Sequence, residues 1–249
     1  LMNVINGGAH ASNSLGTILP VEVMTRLAKA RGARVVVDGA QSVSHFPVNV
    51  GGIGSDFYVF SGHKIFGPTG IGAVYATAEA QESMPPWQGG GNMIRDVTFA
   101  RTTYADPPAK FEAGTPPITE AVGLGAAIAY LTSLGMNNVR SHEAETASYA
   151  INLLKSRYGD DITIHGPTDI AVRGATLSFQ FKDVHPHDVS QVLDQANVCV
   201  RAGHHCAKPL MRLLGSNATA RASFYIYNSN ADADALADAL ANAGDLFGF

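Results

Sequence analysis

Asp56-Phe-Tyr-Val-Phe-Ser-Gly-His-Lys64 is the stretch on which the fold turns. Its first five residues are aromatic or β-branched after the acid, which predicts a short strand over 56–60. The strand runs straight into Ser61-Gly62-His63-Lys64, a polar turn. Upstream, Arg34–Val37 (RVVV) is a second such run, ending at Asp38. Downstream, Ile71–Ala76 (IGAVYA) is a third. Before them, Val21–Ala30 follows Pro20 and reads as a helix, with Val23, Leu27 and Ala30 on one face. Continuous apolar strands between helices predict an α/β domain whose sheet is buried on both faces. Ligands of open α/β sheets bind beyond the C-terminal ends of the strands. Asp38 and Lys64 both stand there.

Outward from this centre, Met84–Pro117 lacks periodicity, is rich in Pro and Gly, and reads as a long functional loop or an extended segment. Glu120–Leu134 and Asn137–Tyr158 read as helices. Ala175–Phe181 (strand), His187–Ala196 (helix), Val198–Arg201 (strand), Ala220–Tyr227 (strand) and Ala231–Ala243 (helix) then predict an α+β domain. The boundary is expected near Gly135, giving domains over 1–134 and 135–249. With 249 residues, 46% hydrophobic, 15% charged and a net charge of −4, nothing basic enough for nucleic acid stands out. No apolar run has the length of a membrane span, and no signal peptide is read. Two cysteines without metal-type spacing fit a reducing, cytoplasmic compartment and no metal site.

An acid at one strand end and a lysine at the next suit pyridoxal 5'-phosphate (PLP). The lysine forms the Schiff base, and the carboxylate keeps the pyridine nitrogen protonated. Ser61 and His63 can donate to the phosphate, and Gln41 can reach the ring hydroxyl. Taken singly, Asp38 also reads as a turn residue and Lys64 as a solvated one. Cys206 follows Arg201, His204 and His205 and precedes Lys208; nearby cations favour the nucleophilic thiolate. The alternative, a small buried hydrophobe, suits Cys199 between Val198 and Val200 better. His10, His45, His142, His165, His185 and His187 read as surface or structural residues. Trp87 reads equally as a substrate-loop or a packing residue.

These stretches, with Ser12-Asn-Ser-Leu-Gly-Thr17, Gly67-Pro-Thr-Gly70, Pro85-Pro-Trp-Gln-Gly-Gly-Gly91, Phe111-Glu-Ala-Gly-Thr115, Arg201-Ala-Gly-His-His-Cys206 and Ala220-Arg-Ala-Ser223, run in one order along the chain. In that order they resemble the group II (SufS-type) cysteine desulfurases and selenocysteine lyases of the class V aminotransferase family, with the PLP-dependent transferase fold type I. The resemblance implies that Lys64 carries PLP and shuttles the Cα proton. It implies Asp38 at the pyridine nitrogen, Gln41 at the ring oxygen, and Ser61 and His63 at the phosphate. Thr115 would reach the partner subunit's cofactor in a homodimer. Asn13 would contact cofactor and substrate, and Arg221 the substrate carboxylate. Cys206 would take sulfur from L-cysteine as a persulfide and hand it to an acceptor protein for iron–sulfur cluster assembly. L-Selenocysteine is the alternative substrate, and a catalytically inert fragment the alternative of another class. The resemblance starts near Ser12, so the chain is expected to lack the family's N-terminal part. Residues 1–13 resemble a stretch of enolase, but the carboxylates and lysines of an enolase site do not follow.

Overall fold

A computed structural model describes residues 2–5 and 14–246, which fall into two units. The first comprises residues 2–5, Val21–Ser44 and Val48–Ser133; the second, residues 14–20, His45–Pro47 and 134–246.

The first unit is built on a sheet of β1 (Met2–Ile5), β2 (Arg34–Asp38), β3 (Phe57–Ser61) and β4 (Gly72–Ala76), in that order. β1, β2 and β3 are parallel, and β4 runs antiparallel to β3. Helix α1 (Val21–Lys29) precedes β2. Two short helices, α2 (Ser42–His45) and α3 (Val50–Ile53), link β2 to β3. The Asn49 side chain caps α3 by accepting Gly52 N–H at 3.1 Å, and Gly54 closes it at φ 68°. Val35, Val37, Ile53 and Tyr58 form the small core. Asp56, the first residue of the decisive stretch, is buried. It accepts Val35 N–H at 2.7 Å and pairs with Arg34 at 3.1 Å and Lys29 at 3.3 Å. Burial pushes its carboxyl pKa up, but these donors outweigh burial and hold it below the ordinary value.

Two expectations for this unit are corrected, and a third is made specific. β4 is exposed on both faces, with Val74 at 67%; among the described residues it is an edge strand, paired with β3 alone. Val23 and Leu27 of α1 also face solvent; the helix buries Thr25 against the unit instead. The 84–117 segment contains a hairpin, β5 (Ile94–Val97) with β6 (Thr102–Tyr104). The unit ends with α4 (Ala78–Ser83), between β4 and the hairpin, and α5 (Ile118–Leu134).

The second unit opens its helical part with α6 (Met136–Tyr158), which starts after Gly135 at φ 80°. An antiparallel sheet of order β7 (Ile162–His165), β8 (Thr176–Phe181), β10 (Thr219–Ser223), β9 (Arg201–Gly203) follows. α7 (Pro186–Gln195), α8 (Lys208–Leu213) and α9 (Asn230–Leu246) complete it. Leu154, Leu177, Phe179, Phe181, Leu193, Leu236 and Leu240 are among the buried residues of its core. Residues 14–18 lie against β8 and the loop before it: Ser178 donates to the Ser14 carbonyl, and Gly174 N–H to Gly16 O at 2.7 Å. Buried Arg173 organises that side, donating to the carbonyls of Pro167 (2.6 Å), His165 (2.9 Å) and Thr176 (3.2 Å). Gly16 is obligatory there: its φ is +76°, and a Cβ would lie 2.6 Å from Thr176 O.

Candidate active site

In the first unit β2 ends at Asp38 and its parallel neighbour β3 ends at Ser61, so both polar turns leave the same end of the sheet. Gly39 N–H donates to Val59 O at 2.8 Å, extending the pairing past Asp38. Asp38 Oδ1 accepts Ala40 N–H at 3.0 Å, which folds the turn back; Oδ2 has no hydrogen-bond partner among the described residues. A Cβ on Gly39 would stand 1.9 Å from the Tyr58 ring. That ring is buried, and its hydroxyl is 2.7 Å from Ser42 Oγ. Tyr58 is therefore a post behind the Asp38 turn, whereas the sequence marks it only as a strand residue. The small residues facing it, Gly39 and Ser42, were the available signal.

Ser61 Oγ lies 2.9 Å from His63 Nδ1, so hydroxyl and imidazole sit side by side. Lys64 follows in a 3₁₀ turn over Gly62–Ile65 and is half-buried. Its amine makes no hydrogen bond or ion pair among the described residues, unlike Lys29. Gln41 is half-buried, and its amide likewise bonds to none of them. Thus Asp38, Gln41, Ser61, His63 and Lys64 gather at one sheet end. Thr115 does not join them through any hydrogen bond; it is exposed on the segment before α5. Asn13 lies outside the described residues, as does His10.

In the second unit Cys206 occupies a two-residue turn. Ala207 N–H donates to His204 O at 2.8 Å, and the central residues His205 and Cys206 have φ 49° and 63°. That is the geometry of a type I′ turn, normally the place of Asn and Gly. Two non-glycine residues there cost roughly 1–3 kcal/mol each. Cys206 is exposed, its N–H donates to His204 Nδ1 at 3.2 Å, and Arg201 Nη2 donates to its sulfur at 3.7 Å. Arg201 and Arg221 are directly opposed on β9 and β10. Burial, then the like charge of Arg201, pushes the Arg221 pKa down to about 10.

Two readings around the cysteines are corrected. His205 is no cation: it is buried, and burial together with Arg221 and Arg201 pushes its pKa down to about 4. Cys199 is no buried hydrophobe: it is exposed, because the chain alternates and Val198 and Val200 take the core side. Four described histidines elsewhere have partners for their rings: His45 bonds Glu143, His142 the Asn228 carbonyl, His165 Gln180, and His185 accepts His187 N–H. Among the described residues no group of His, Cys, Asp and Glu could hold a metal ion.

The family model for class-V aminotransferases matches residues 8–236. The chain belongs to that family. It is 48% identical over 237 residues to a probable cysteine desulfurase of Streptomyces coelicolor, covering 95% of this chain and 56% of that protein. It is 48% identical to a cysteine desulfurase of Haloferax volcanii, covering 96% of this chain and 55% of that protein. The crystal structure of the Escherichia coli cysteine desulfurase CsdA in its S-sulfonic acid form superimposes with a TM-score of 0.86 at 38% identity, covering 94% of this chain and 57% of that one. The apo structure of a cysteine desulfurase from Thermococcus onnurineus gives 0.87 at 38%, covering 93% and 57%. The fold is therefore the α/β fold type I of PLP-dependent class-V aminotransferases, and the chain spans little more than half the length of the relatives it matches.

Proposed function

We propose that this class-V chain carries the reacting residues of a PLP-dependent cysteine desulfurase, acting in iron–sulfur cluster assembly. The observation that carries the reading is the pair of turns at the same end of β2 and β3: one bears an amine without a hydrogen-bond or ion-pair partner among the described residues, the other a carboxylate with one oxygen open among them. This donor set fits PLP. Lys64 would hold it covalently, Asp38 would face the pyridine nitrogen, Gln41 the ring oxygen, and Ser61 with His63 the phosphate. When bound, the group supplies an electron sink for the pair left when the substrate Cα–H bond breaks.

This chain's residues do the rest. Arg221, with Asn13, would bind the L-cysteine carboxylate; a planar guanidinium suits a bidentate grip. The Lys64 amine would take the Cα proton and return a proton to carbon. The Cys206 thiolate would attack the substrate sulfur, forming an S–S bond while the Cβ–S bond breaks with its electron pair going to carbon. Protonation of that carbon gives L-alanine, and Cys206 keeps the sulfur as a persulfide for an acceptor protein. Exposure of Cys206 on its turn supports delivery to such a partner. The exposed position of Thr115 supports its reaching the cofactor of a second copy in a homodimer. The reading places the reaction in the cytoplasm, where two free cysteines stay reduced. Among the described residues no single helix is long and apolar enough to cross a membrane.

Cys206→Ser tests the reading. With PLP the variant should keep the cofactor absorbance of the parent chain yet release at least about 100-fold less alanine from L-cysteine, since it lacks the nucleophile. Turnover at the parent rate would refute the assignment.

A further inference from the structure

We propose that His205 is the positioning residue for Cys206, fastening the thiol-bearing turn to β10 on the face that carries Arg221. The anchoring stands on geometry alone; its consequence for sulfur transfer rests on the desulfurase reading.

β10 alternates as a strand must. Ala220 and Ala222 belong to the packed core, so Thr219 and Arg221 take the opposite face. They are two residues apart, about 7 Å along the strand. His205 is 1% exposed, and its Nε2 meets Thr219 Oγ1 at 2.9 Å and Thr219 O at 3.2 Å. The ring therefore links the turn to the start of the strand whose next residue on that face is Arg221.

His205 and Cys206 are the two central residues of one tight turn. Pinning the first inward sets the direction of the second, which here is outward, with its sulfur 3.7 Å from Arg201 Nη2. Both adopt the left-handed conformation without being glycine, so the turn persists only where its surroundings over-determine it. The His205–Thr219 link supplies that restraint. Packing alone does not explain the residue. Nδ1 of His205 is buried without a hydrogen-bond partner among the described residues, a cost that an aliphatic side chain would avoid. What an aliphatic residue lacks is a directional bond to Thr219. The ring is neutral, since burial and both arginines oppose a proton, so it acts by geometry and not as an acid.

The test uses His205→Leu, Thr219→Val and His205→Gln in the whole chain. Leucine fills the space without either bond, valine removes the hydroxyl but keeps the Thr219 carbonyl contact, and glutamine can restore the link. Amide hydrogen exchange over residues 201–207 is read without cofactor, and kcat and KM for alanine release with PLP and L-cysteine. His205→Leu should speed exchange of the turn about tenfold or more, and Thr219→Val, which loses one of the two bonds, by less, while core strands stay protected. Their kcat should fall, roughly 10- to 100-fold in His205→Leu and less in Thr219→Val, with KM within about twofold, as expected when a reacting atom is misplaced and substrate binding is left intact. His205→Gln should recover most of both. Parent-like exchange in His205→Leu and Thr219→Val, or no recovery in a folded His205→Gln, would overturn the proposal. If His205→Leu does not fold, Thr219→Val decides by the same readings. If the parent chain itself releases no alanine, the desulfurase reading falls, and the exchange data alone decide the anchoring.

Discussion

Gly39 shows how a single position without a side chain sets the candidate site. The Tyr58 ring occupies the space where its Cβ would be, and the Asp38 turn closes directly over that ring. Gly39→Ala must displace the ring or the turn. Overpacking of this kind costs about 1–3 kcal/mol, so thermal unfolding should show a lower Tm, and a PLP titration should show weaker binding because Asp38 moves. Unchanged Tm and unchanged binding would mean that Tyr58 is not the post behind Asp38. Much of the residue scale was legible in the sequence. Asp38 and Lys64 stood out by type and by their places at strand ends, and Cys206 by its cationic neighbours. Tyr58 and Thr219 did not, because their roles are set by partners 16 to 19 and 14 residues away. His205 was misread for a physical reason: sequence proximity to arginines suggests a cationic cluster, whereas burial among them removes the proton.

At the scale of elements, α6 carries an unusual passenger. Glu143 is fully buried, its Oε1 is 2.7 Å from His45 Nδ1, and Oε2 has no partner among the described residues. His45 also meets the edge of Tyr225, with ring centroids 4.9 Å apart. Burial raises the Glu143 pKa above the ordinary 4.5, while the hydrogen bond and charge of His45, then Arg140 and His142, pull it back. A carboxyl with a raised pKa keeps a proton that the unfolded chain releases. Its contribution is fully present below the unfolded value and is lost as pH rises through the folded one. Glu143→Gln keeps the shape and removes the titration. The difference in Tm between variant and parent should therefore move in the variant's favour from about pH 5 to pH 8. A constant difference would show that Glu143 stays ionised throughout. Strand limits were the least legible feature here. Val198–Arg201 looked like a strand, but pairing begins at Arg201, the residue opposite Arg221 on β10. The β5–β6 hairpin left no trace in the sequence because β5 is exposed along its whole length and shows no alternation.

For the whole molecule, fold class was readable because two signals agreed: apolar strands between helices, and polar turns at the strand ends. What composition did not reveal is how much apolar surface faces solvent. α5 is apolar around its circumference yet buries Leu124, Ala127 and Leu131 only on one side, leaving Val122 71% exposed. β4 adds Val74 and Tyr75. Periodicity reports which side chains are apolar and not which ones find a neighbour within the same chain. The two halves of the proposed chemistry likewise belong to different units: the amine and carboxylate to the first, the thiol and guanidinium to the second. What ties them is the proposal that sulfur reaches Cys206 only through a reaction that needs the Lys64 amine. The most direct measurement is peptide mass mapping of the chain after incubation with PLP and L-cysteine, on the parent and on Lys64→Ala. One extra sulfur is expected on the Cys206 peptide of the parent, none on the Cys199 peptide, and none on either peptide of Lys64→Ala. Sulfur on Cys199 instead, or equal labelling of Cys206 without Lys64, would contradict it.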